Sequence, residues 1–90
     1  EQSAAGLLPV MQWTDLPEQG CSEITLACWD RPQLLARVAG ALAAQSINIL
    51  GADLYRRMDD LVLDVFRVCN TSFAPVTSKN ARQRFEQDLN

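Results

Sequence analysis

The chain predicts an α+β fold of alternating strands and helices, and three features carry that prediction. Apolar and polar residues alternate from Ser22 to Cys28, as in a strand with one buried face. Apolar residues recur at helical spacing from Leu34 to Leu42. Two apolar runs, about Ile49 to Met58 and Leu61 to Cys69, flank the turn-forming pair Asp59-Asp60 and read as a hairpin.

Ninety residues suit one domain with a thin core, of the kind often completed by a partner. Residues 1–20 read as a lead-in, with a candidate edge strand around Leu8 to Trp13 that is weakened by Pro9. Thr14 to Gly20, with Pro17, reads as a loop, and residues 21–90 read as the domain proper. The chain lacks an initiator Met and a signal peptide and is taken as a segment of a longer, cytoplasmic protein.

After the first strand, Asp30 is placed as the N-cap, Pro32 in the first turn and Gln33 three residues beyond the cap. The helix then runs to about Gln45, with Leu34, Leu35, Val38, Ala41 and Leu42 as its buried stripe. Gly40 in its middle suggests a close backbone approach. Ser46 to Asn48 connect to the second strand, where Leu50, Ala52 and Leu54 share a face. In the third strand Leu61, Leu63 and Val65 oppose Val62, Phe66 and Val68, so both faces of the hairpin are largely apolar. One face should meet the helices and the other a second layer or a partner. Asp64 interrupts the second set and either pairs with Arg56 or Arg67 or marks an interface, the structural reading being favoured because burial without a partner is costly. Thr77 or Ser78 caps a second helix with Ala81, Phe85 and Leu89 on one face. Lys79, Arg82, Arg84, Glu86 and Asp88 form its solvated face.

The order strand, helix, strand, strand, helix begins the ferredoxin-like βαββαβ plan. The fourth strand of that plan is either supplied from beyond Asn90 or replaced by the lead-in at an edge, and an uncovered edge invites dimerisation.

Composition removes several classes of function. The net charge is −3, with 8 basic and 11 acidic residues, against a nucleic-acid footprint and against an anionic membrane surface. Histidine is absent, which removes the commonest general base and metal ligand. The three cysteines, Cys21, Cys28 and Cys69, have no CxxC spacing and read as reduced thiols. No metal and no cofactor is expected, and this segment is not expected to be an enzyme.

The stretch Ile24 to Ala43 with Asp30-Arg31-Pro32 and Leu34-Leu35, then Asn48-Ile49 with Ala52, then Asp64-Val65-Phe66, resembles an ACT domain over roughly residues 22 to 89. In pattern it is most similar to the ACT domains at the C-terminal end of bacterial uridylyltransferase/uridylyl-removing enzymes. The resemblance implies a ferredoxin-like fold, pairing with another ACT domain or a second copy, and an amino-acid effector, with glutamine foremost, in control of nitrogen metabolism. It places the parent protein's chemistry in other domains. One departure stands out: the family pattern has glycine where this chain has Gln33.

The residues themselves supply candidates for such a ligand. Asp30 suits an ammonium group or a plain cap, and Arg31 suits a carboxylate or solvent. Gln33 and Leu34 carry the start of the helix, whose backbone N–H groups favour a carboxylate. Asn48, followed by Ile49, suits the carboxylate or amide of an amino acid, or a simple turn. The competing reading is an interaction module that joins subunits without a ligand. A ferredoxin-like RNA binder is disfavoured, because Tyr55 is a lone aromatic candidate and the charge is negative.

Overall fold

In the computed structural model, residues 10–29, 33–56 and 61–89 are described. The turn at Asp59-Asp60, the residues Asp30 to Pro32 and the stretch before Val10 lie outside them. The order is β1 (Val10–Leu16), a 3-10 turn (Pro17–Gln19), β2 (Cys21–Trp29), α1 (Leu34–Ala44), β3 (Asn48–Arg56), β4 (Leu61–Cys69) and α2 (Lys79–Leu89). The four strands form one antiparallel sheet in the order β1-β2-β4-β3. This is a small α+β domain, compatible with a ferredoxin-like arrangement, and β1 occupies the edge beside β2.

The lead-in strand therefore reaches further than its sequence suggests. Thr14 to Leu16, expected in a loop, pair with Glu23 to Cys21. The connection turns at Gly20, whose φ is +69°, and a Cβ there would lie 2.9 Å from the Phe73 carbonyl oxygen.

Strand alternation divides the sheet into two faces. On one, Ile24, Leu26, Cys28, Val62, Phe66 and Val68 are buried beneath Leu34, Val38, Ala41 and Leu42 of α1 and Phe85 and Leu89 of α2. Ala81 packs against this core with Met11 and Trp13 of β1. The other face, bearing Glu23, Thr25, Ala27, Leu63, Val65 and Arg67, meets no described helix. Leu35, placed in the buried stripe by spacing, is 48% exposed, because α1 turns it off the edge of the contact. A Cβ on Gly40 would meet no neighbouring atom within 4 Å, so the expected close approach is absent.

The strongest tie between distant parts of the chain joins β1 to α2. Trp13 meets Phe85 edge to face with ring centroids 5.9 Å apart, and its Nε1 donates to Glu86 Oε2 at 3.0 Å. The Arg82 guanidinium stands 4.7 Å above the Trp13 ring and donates to Asp15 Oδ1 and to the Val76 carbonyl. Ser22, wholly buried, donates to Asp15 Oδ1 at 2.8 Å and accepts from the Val76 N–H at 2.9 Å. Arg82 and Glu86, expected on a solvated face, thus turn to β1. Their partners lie 67 and 73 residues away, beyond any local pattern. Ser78 caps α2 as expected, its Oγ accepting from the Ala81 N–H at 3.2 Å.

Trp13→Ala should lower unfolding free energy by about 3 kcal/mol through the cavity it leaves over Phe85, read from urea denaturation. Gly40→Ala should raise it by about 1 kcal/mol, since only helix propensity changes there.

Candidate functional site

Asp30 and Arg31 lie outside the described residues, so the site is built from Gln33, Leu34, Asn48 and Ile49. Gln33 is itself the N-cap of α1, not the third residue beyond it, and carries φ +60° and ψ +25°. This left-handed conformation is one that glycine adopts freely and other residues at a cost. Gln33 therefore holds this turn with strain that glycine would avoid. The Gln33 side chain makes no capping bond, while its carbonyl accepts from the Arg37 N–H at 2.9 Å. The first-turn N–H groups of α1 receive no cap from this residue, as an anion-accepting helix start requires. Leu34 is buried in the core and serves packing.

Asn48 and Ile49 begin β3 and pair with Cys69 and Val68, at the end of the sheet where β4 finishes. Gln33 follows the opposite end, where β2 finishes at Trp29 beside Leu61. The eight intervals of a nine-residue strand, at about 3.4 Å each, separate the two ends by roughly 27 Å. A single chain therefore does not bring Gln33 and Asn48 together. Both are exposed, as is Ile49.

β3 is one of the two edges of the sheet, opposite β1, and the least covered strand. Leu54 is 54% exposed and Leu50 52%, and a bulge between Ile49 and Gly51 lets two residues oppose Arg67. Asp64 is buried on the helix-covered face, whereas Arg67 lies on the other, where it donates to Asp53 Oδ2 at 3.3 Å. The expected Asp64–Arg67 pair is thus excluded by strand alternation. All three cysteines are buried on strands, and none is joined in a disulfide.

The Asn48 end also holds a cavity of about 320 Å³ that the sequence did not reveal. It opens between the end of α1 (Gln45, Ser46, Ile47), the end of β4 (Asn70, Thr71) and the start of α2 (Val76, Thr77, Ser78, Ala81). Each of these segments reads alone as an ordinary polar connection, so nothing local announces their convergence. The Asn70 side-chain oxygen is already engaged by the N–H groups of Ser72 and Ala74. Among the described residues no group of His, Cys, Asp and Glu is arranged to hold a metal ion, and no helix is long and apolar enough to cross a membrane.

No protein-family model matches the chain, and no solved structure matches it. Sequence relatives do. The chain is 40% identical over 53 residues to a bifunctional uridylyltransferase/uridylyl-removing enzyme of Gluconobacter oxydans, a match that covers 59% of this chain and 6% of that protein. It is 38% identical over 64 residues to the enzyme of the same name from Rhodospirillum rubrum, covering 71% and 7%. With that of Idiomarina loihiensis it shares 30% identity over 82 residues, covering 91% and 9%. The chain thus spans less than a tenth of the length of these relatives, consistent with a segment that has no catalytic role of its own.

Gln33→Gly should raise unfolding free energy by about 0.5–1 kcal/mol, because relief of the left-handed strain exceeds the added freedom of the unfolded chain. A urea midpoint shifted upward at constant slope would show it.

Proposed function

We propose that this chain is a ferredoxin-like ACT domain that senses an amino acid, glutamine foremost, and regulates a larger uridylyltransferase-like protein of nitrogen metabolism. The similarity to short segments of bifunctional uridylyltransferase/uridylyl-removing enzymes carries this reading. The α+β architecture with β1 at the fourth strand position is compatible with it.

The geometry adds a condition. Gln33 and Asn48 lie at opposite ends of the sheet, so a ligand touching both must sit between two chains. Antiparallel pairing of β3 with β3 of a second copy supplies that arrangement. The two-fold axis then sets Asn48 of one copy at the Gln33 end of the other. The same contact covers Leu50 and Leu54, which one chain leaves in water. The effector's carboxylate would meet the open helix start, and Asn48 of the partner would bond its polar groups. Binding at such a junction changes the pairing equilibrium, which is how it would bias a distant catalytic domain.

The apolar edge also favours a second reading, an interaction module that pairs without any ligand. Thermal unfolding of the paired chain with glutamine separates the two. The sensing reading expects a melting temperature that rises with glutamine at millimolar concentration, and a rise lost in Asn48→Ala while the paired mass persists. A paired chain whose melting point ignores glutamine and every other amino acid supports the interaction module instead.

A further inference from the structure

The sheet face that no described helix covers carries a pattern of its own. Taken across β1, β2, β4 and β3, its rows are Thr14–Glu23–Arg67–Gly51, then Gln12–Thr25–Val65–Asp53, then Val10–Ala27–Leu63–Tyr55. Trp29 beside Leu61 ends the face. One end is therefore charged and the other apolar, and Trp29 is 41% exposed and Tyr55 53%.

We propose that this face stacks on the same face of a second copy, sheet against sheet, about a two-fold axis parallel to the strands. Such an axis keeps each row at its own height and exchanges left with right. It lays β2 over the partner's β4 and β1 over the partner's β3. Glu23 then faces the partner's Arg67, and the reverse contact forms by symmetry. Ala27 faces the partner's Leu63, and Val10 faces the partner's Tyr55, small against large in each case. Trp29 meets the partner's Leu61. A two-fold axis across the strands would instead set Trp29 and Leu61 on Glu23 and Arg67, burying charge against apolar surface. Self-complementarity of charge and size thus selects both the occupant and the axis.

The dimensions are adequate. Four strands about 4.8 Å apart and some 28 Å long present roughly 500 Å² of flat area, and more with the relief of the side chains. A specific interface begins near roughly 600 Å² per partner. Gly51 contributes directly, since a Cβ there would lie 2.6 Å from Arg67 Nη2. Its bare backbone keeps the guanidinium low on the sheet, beside Asp53, where a second sheet at about 10 Å can close over it. This interface uses a face, not the β3 edge, and holds whether or not an amino acid binds.

Two charge reversals test it. Glu23→Arg gives a chain with two arginines in the charged row, and Arg67→Glu gives one with two acids. Within one chain each variant places like charges on neighbouring strands, and Arg67→Glu also removes the ion pair with Asp53, so circular dichroism checks that both fold. Sedimentation velocity should give each variant alone a lower mass than the unaltered chain, and an equimolar mixture should regain the mass of the unaltered chain, since its arginines meet the other chain's acids. Thr25→Arg, which removes no charge pair, should lower the mass as well and serves if either reversal fails to fold. Unchanged mass in the variants, lowered mass in the mixture, or an unaltered chain that sediments as a monomer would overturn the proposal.

Discussion

The pairing of β1 with β2, locked by Trp13, decides what the rest of the molecule is free to do. That strand fills the position beside β2 with the chain's own residues and forms one edge of the sheet. Trp13 then covers Phe85, and the Asp15–Arg82–Val76–Ser22 network ties the strand to α2 and to the loop before it. A thin core of this size gains much from one more strand and one more large aromatic. β1 and β3 are then the two edges of the sheet, of which β3 is the less covered, and one sheet face meets no described helix.

This division explains the placement of the candidate site. The β2–α1–β3 crossover passes over β4, so the residues that begin α1 and those that begin β3 fall at opposite ends of the sheet. Within one chain that separation is fixed by strand length. A two-fold axis removes it by setting the beginning of one strand beside the end of its equal.

Much of this was legible in the sequence. The alternation in β2 and β4, the stripe of α1 and the Ser78 cap all follow short-range rules, and the chain obeys them. Both faces of β4 read as apolar, and one indeed meets helices while the other is open. What local rules missed was long-range. Arg82 and Glu86 look solvated until Trp13 and Asp15 arrive from the far end of the chain. Leu35 fits the helical stripe, yet α1 does not extend its contact that far. The role of Gln33 depended on a backbone angle that a side-chain pattern does not state. The cavity beside Ser46 and Asn70 is built from three polar connections, each ordinary by itself.

The chain fills the position beside β2 with its own β1 and leaves β3 as the less covered of the two edges. Hydrogen exchange read by mass spectrometry at low and high protein concentration measures both edges at once. The amides of Val10–Leu16 that face β2 should be protected equally at either concentration, and Asn48–Arg56 should gain protection at its outward amides only when the chain is concentrated. Free exchange in Val10–Leu16 while Cys21–Trp29 stays protected would contradict this division of the two edges.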